Sequence, residues 1–158
     1  MTFMEGAIED PIAWAFWGWG GAALALTLAN LGSAYGTAKA GMGIASMAVT
    51  RPHLAFKSII PVIMAGILSI YGLIIAVLLG GNMSIDSTNG YQGFMTMAAG
   101  LLSGFSNVAA GYAIGLTGER GVKYYAINEE IFVALILILI FAEVLGLFGM
   151  ITSIIVSV

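Results

Sequence analysis

Four long apolar stretches, residues 11–38, 54–79, 91–116 and 131–156, set the class of structure this chain can adopt. A helix crosses the hydrocarbon core of a bilayer with about 20 mostly apolar residues, and each stretch exceeds that. Only 8% of the 158 residues are charged and 60% are hydrophobic. A soluble domain carries about 25% charged residues, so a water-soluble fold could not cover itself with polar side chains. The expected fold is an all-α integral membrane protein, a single membrane domain over residues 1–158 with four transmembrane helices. With five Lys plus Arg and a net charge of −3, nucleic acid is excluded as a partner, because its binders need a basic face. The chain has no Cys and one His, His53 in a connection, so no disulfide, metal site or cofactor is expected, and nucleophilic triads lack their parts.

Pro11 suits a first helical turn, where its missing N–H costs nothing. The first stretch does not read as a cleavable signal, since acidic residues (Glu5, Glu9, Asp10) precede it and its apolar run is too long. The expected connections are 39–53, 80–90 and 117–130. Lys39, Arg51, Lys57, Arg120 and Lys123 all fall in or beside the first and third of these. By the positive-inside rule, connections 39–53 and 117–130 face the cytoplasm, and both termini and the middle connection face the opposite side.

A shift of 77 residues lays one half of the chain on the other without a gap. Ala22 falls on Ala99, Asn30 on Asn107, Tyr35 on Tyr112, Gly41 on Gly118, Ala65 on Ala142 and Gly72 on Gly149. The Asn and Tyr pairs carry the match, since Ala, Leu and Gly are common throughout. The halves are therefore two tandem helical hairpins, 11–80 and 91–157, of the same orientation. This is the parallel kind of repeat rather than the inverted kind. One position breaks it, because Glu143 falls on Gly66.

Glu143 is the only acid away from the ends of the stretches; Glu5, Glu9, Asp10, Asp86, Glu119, Glu129 and Glu130 lie at or beyond them. Its helical neighbours Leu139, Ile140, Gly146 and Leu147 are apolar. An ionised carboxylate at the bilayer centre costs at least about 2.5–3.5 kcal/mol, so Glu143 is expected to be neutral in lipid and to ionise only beside a cation or water. No Lys or Arg of this chain falls at that depth. Such a group is a reversible proton carrier; a protonated structural hydrogen-bond donor is the plainer alternative. A sodium site would need several oxygens, and Ser69, Tyr71, Ser103, Ser106 and Asn107 are the few candidates, so protons are favoured over sodium. Tyr71 and Asn107 are possible secondary polar contacts, with Tyr71 read first as an interfacial or packing residue rather than an ion ligand, and Asn30 and Asn107 as bonding between helices.

Small residues spaced for close helix approach fill the first and third stretches: Gly32, Gly36, Gly100, Gly104, Gly111 and Gly115. The second and fourth stretches carry bulkier side chains, as lipid-facing helices would. Either the glycines serve generic bundle packing, or the first and third helices form a tightly curved inner layer.

The segments 34–39 (AYGTAK), 61–67 (PVIMAGI) and above all 136–148 (ILILIFAEVLGLF) resemble the 16 kDa proteolipid of V-type ATPases, their c-subunit. The resemblance spans all four stretches. It implies a homo- or hetero-oligomeric ring that turns in the membrane as each carboxyl takes a proton, passes through lipid and releases it. Glu143 matches the family's proton-carrying glutamate. A stator membrane subunit would supply half-channels and an arginine, and a central-stalk subunit would meet the ring on the cytoplasmic side of a vacuolar or other endomembrane. A carboxyl in the second hairpin resembles the c type of proteolipid rather than the c″ type. The chain departs from the family at 123–130, which lacks the usual Gln-Gln-Pro-Arg-like stretch, and at Phe148, where a Tyr is common. No phosphate-binding loop is present, so the chain is expected to hydrolyse nothing itself. A sodium-translocating relative and a structural ring or channel-forming proteolipid are the alternative readings.

Overall fold

Nothing between Pro11 and Thr50 interrupts helix formation, and Pro52 is the first residue that does, since it disfavours the helical conformation of the residue before it. In the computed structural model, which describes residues 11–83 and 90–157, α1 accordingly runs over Pro11–Thr50. Two short 3₁₀ turns, Pro52–Leu54 and Lys57–Ile59, lead into α2, Ile60–Gly81, with Pro61 in its first turn. Then come α3, Gly90–Tyr125, and α4, Ile131–Ser157. All four are long and apolar enough to cross a membrane. The N-terminal acids Glu5, Glu9 and Asp10, and Asp86 of the middle connection, lie outside the described residues.

The connections expected at 39–53 and 117–130 are therefore mostly helix, which corrects their boundaries. At 40 residues α1 is about 60 Å long, roughly twice the hydrocarbon thickness. Membrane length and helix length are different quantities, and the apolar pattern reports only the first. The extra turns of α1 and α3 carry Lys39, Arg120 and Lys123, so these cations sit on helices rather than in loops. At that end Glu119 accepts from Lys123 Nζ at 3.0 Å and pairs with Lys39 Nζ at 3.5 Å, and Arg51 pairs with Glu129 at 3.7 Å. The Lys39 and Arg51 pairs bridge the two hairpins.

Backbone contact between α1 and α3 holds the hairpins together. A Cβ on Gly111 would fall on the carbonyl of Gly32, and one on Gly100 on the carbonyl of Gly21. One on Gly115 would stand 3.0 Å from Gly36 Cα, and one on Gly104 2.7 Å from a Leu28 methyl. Gly36 also faces α2, where Ala65 Cβ would be 2.9 Å from its missing methyl. In lipid, where helices gain little by hiding from water, such close approach is a main source of association. Against this seam α2 and α4 present Leu68, Ala65, Leu139 and Ala142, buried with Ala110, Ile114 and Val122 of α3. The outward sides of α2 and α4 keep large apolar residues exposed, Ile63, Ile70, Val77, Phe141 and Leu145 among them.

Candidate functional site

Leu135, Leu139, Ala142, Gly146, Gly149 and Ser153 form the buried stripe of α4. Glu143 lies beside that stripe on the flank turned to α2, the thirteenth of 27 residues in the helix and therefore near its middle. It is half-buried. Its outer neighbours are apolar, with Phe141 73% exposed and Leu145 and Phe148 more than half exposed. None of the cations pairs with it among the described residues.

The structure brings Tyr71 to it. The Tyr71 hydroxyl, on the flank of α2 that meets α4, donates to Glu143 Oε1 at 3.3 Å. Sequence pattern favours an interfacial or packing role for Tyr71 and leaves a polar contact possible; the hydroxyl makes that contact, with a carboxyl 72 residues away in the chain. The repeat holds a signal for this. Tyr71 falls on Phe148 under the same shift that lays Glu143 on Gly66, so each hairpin carries one member of the pair and lacks the other.

The hydroxyls of the other polar candidates bond away from the carboxyl, and Asn107 is only partly committed. Ser69 Oγ donates to the Gly66 carbonyl of its own helix at 2.8 Å. Ser106 Oγ crosses from α3 to the Leu145 carbonyl at 2.6 Å, and Ser153 Oγ crosses the other way to the Ala99 carbonyl at 2.7 Å. Asn107 is fully buried, but its Nδ2 bonds within α3, to the Ser103 carbonyl at 2.8 Å and to Ser103 Oγ at 3.3 Å. This corrects the expectation of a bond between helices: the carbonyl one turn back is nearer than any partner across the seam. Asn107 Oδ1 has no hydrogen-bond partner and points at Gly146, 2.8 Å from where a Cβ would stand. Its repeat mate Asn30 is exposed on α1. The six seam glycines are all buried between α1 and its neighbours, away from the carboxyl.

Chemically, the arrangement is one carboxyl, held on one side by a single phenol and bordered on the other by an apolar surface. It can hold or release one proton. The carboxyl and the phenol have no second acid or imidazole beside them among the described residues.

The family model described as the C subunit of ATP synthase matches the chain twice, over residues 20–79 and 97–156, and the two matches are offset by the same 77 residues as the internal repeat. The 16 kDa proteolipid (c-subunit) of the V-type proton ATPase from Nephrops norvegicus is 53% identical over 146 residues, covering 92% of this chain and 92% of its own. The proteolipid of the same name from Rattus norvegicus is 52% identical over 149 residues, with 94% of this chain and 96% of its own covered. A c′-type V-type proton ATPase subunit from Saccharomyces cerevisiae is 46% identical over 157 residues, or 99% of this chain and 96% of its own.

Proposed function

Because the chain belongs to the family of the ATP synthase C subunit, among its V-type proteolipids, we propose that it is a proton-carrying rotor subunit of a membrane ring, with Glu143 as the carrier. The observation that carries this reading is the placement of Glu143. It is a carboxyl at mid-helix, half-buried, bordered by exposed apolar side chains and met by a single hydroxyl.

With its proton, the carboxyl is neutral and can pass along the lipid-facing side of the ring. Without it, the charge must face water or a cation, and this chain has no Lys or Arg at that depth. The cation is proposed to come from a stator subunit outside the ring, which also supplies the water-filled half-channels. Tyr71 holds the carboxyl toward α2, so its position is fixed while it crosses lipid. The chain hydrolyses nothing; a soluble sector would drive it through a central stalk.

The side with connections 51–59 and 126–130 is taken as cytoplasmic, because Lys39, Arg51, Lys57, Arg120 and Lys123 gather there. Both termini then face the lumen of a vacuolar or other endomembrane. Ser69, Ser103 and Ser106 are bonded to helix carbonyls or to Asn107, which favours a proton over sodium.

The test is acidification of sealed membranes carrying Glu143→Gln. Pumping should fall to background while the ring still assembles, and near-normal pumping would overturn the proposal. A hydrophobic carbodiimide should modify Glu143 and stop pumping in the unaltered protein. Protection by sodium ions would move the reading to a sodium carrier.

A further inference from the structure

Among the described residues, the amide oxygen of Asn107 is the one buried side-chain acceptor without a donor. The side chain is fully buried, and its amide can sit only one way round. Nδ2 donates to the Ser103 carbonyl at 2.8 Å, and a carbonyl accepts but cannot donate, so Oδ1 is the atom turned to α4. A buried acceptor left without a donor is costly. The hydroxyls at neighbouring levels do not fill the need, since Ser69 and Ser106 donate to the carbonyls of Gly66 and Leu145.

The walls around Oδ1 are close and apolar. A Cβ on Gly146 would stand 2.8 Å from Oδ1, 2.8 Å from a Leu68 methyl and 3.4 Å from Ala110 Cβ. Gly146 is three residues beyond Glu143, so the two share one side of α4. Leu68 likewise precedes Tyr71 by three residues on α2, and the Tyr71 hydroxyl donates to Glu143 Oε1. Side-chain positions three apart on a helix are about 5–6 Å apart, a gap that a glutamate spans by changing rotamer. The repeat marks the same place. Gly146 falls on Ser69 as Glu143 falls on Gly66, so the hairpin with the acid has no side chain where the other has a hydroxyl.

We propose that Asn107 Oδ1 accepts the hydrogen bond of the protonated Glu143 carboxyl, whose O–H swings over Gly146 toward α3. The assignment follows from counting donors. Tyr71 brings a hydrogen and can serve the carboxyl in either state. Asn107 Oδ1 brings none, so it attracts the acid and repels the carboxylate. The acid O–H is a donor that exists only while the proton is aboard. The proton stays bonded to Glu143 throughout, and the amide oxygen only accepts. Tyr71 is the only titratable side chain bonded to the carboxyl among the described residues, and the ion-paired groups of α1 and α3, Lys39, Glu119 and Lys123, gather at one end of those helices. Tyr71 thus holds the group in both states, and Asn107 favours the neutral one, which has to cross lipid.

The test reads the carboxyl itself. Infrared spectra are taken of the assembled protein in lipid at mildly acidic pH, and the acid C=O band of Glu143 is identified as the one that Glu143→Gln removes. Asn107→Leu, which removes the acceptor, should shift that band. Gly146→Ala sets a methyl against Oδ1 without altering Asn107 and should shift it as well; it decides alone if Asn107→Leu fails to assemble. Asn30→Leu, the same exchange at the exposed repeat mate, should leave the band in place. So should Ser103→Ala, which takes one partner from Nδ2 but leaves the carbonyl bond and Oδ1. The two shifted variants should also slow pumping about two- to tenfold. An unmoved band in the assembled variants, or an equal shift in Ser103→Ala, would overturn the proposal. Sodium protection of Glu143 from a carbodiimide that disappears in Asn107→Leu would also overturn it, by making Oδ1 a cation ligand. The proposal rests on the carrier reading of Glu143, and the two fail separately. Normal pumping by Glu143→Gln sinks the carrier with the band shift intact, whereas lost pumping with an unmoved band sinks only the Asn107 contact.

Discussion

The two hairpins are nearly the same scaffold put to different uses. Each pairs a Gly- and Ala-rich helix, α1 or α3, with a bulkier apolar one, α2 or α4. The second has Glu143 where the first has Gly66, and the first has Tyr71 where the second has Phe148. The carboxyl and its phenol thus come from different hairpins, and they meet only because the hairpins lie side by side. A repeated backbone supplies identical positions, and two substitutions make one junction of the pair capable of holding a proton.

The most severe test of this contrast is to remove the carboxyl. Glu143→Gln should abolish acidification while leaving the ring intact, and Glu143→Asp should keep part of the activity, because the shorter side chain retains the acid but displaces it. The next largest contrast lies between the buried and the exposed side of α1. Gly111→Leu drives a side chain into the Gly32 backbone and should destabilise the chain by about 1–3 kcal/mol or more, read as lost assembly and a lower unfolding temperature in detergent. Ala34→Leu is exposed in the single chain, so the detergent-solubilised chain should stay within about 0.5 kcal/mol of the parent while higher oligomers are lost. Equal effects of the two on the isolated chain would mean that the two sides do not differ as described.

Exchanging the aromatic partners gives a smaller effect. Tyr71→Phe removes a hydrogen bond worth about 0.5–1.5 kcal/mol and should slow pumping roughly two- to tenfold without stopping it. Phe148→Tyr, which does not reach Glu143 in the chain, should leave pumping within about twofold, the change of an ordinary surface substitution. The smallest effect is expected from Ser106→Ala. Its bond to the Leu145 carbonyl joins α3 to α4, whereas the mate of Ser106 in the first hairpin is Ala29, which has no hydroxyl. About 0.6 kcal/mol should be lost, visible as a slightly lower unfolding temperature of the isolated chain.

Much of this is legible in the residues. The four spans and the isolated carboxyl follow from hydropathy and charge placement, because a bilayer penalises every exception to its pattern, and the tandem repeat follows from the Asn and Tyr pairs that share one register. Helix ends are less legible, since Lys39–Thr50 and Thr117–Tyr125 are polar enough to read as loops yet contain nothing that stops a helix. The polar contacts are least legible. Asn107 and Asn30 look alike in sequence, but one is fully buried against α4 and the other exposed, a difference set by which neighbour each meets. Tyr71 reads as packing because a phenol on an apolar helix usually packs, and only the approach of α4 gives its hydroxyl a partner.

Composition and charge position suffice to put the chain in a membrane and to leave a single carboxyl at mid-depth, and residue identities in a 77-residue register show that it is built twice from one hairpin, since none of these needs a contact to be read. Which flank of α4 carries Glu143, that Tyr71 answers it, and which faces of the two hairpins stay open emerge only in three dimensions. Those depend on how closely the glycine seam lets α1 and α3 approach, a distance that a one-dimensional pattern does not contain.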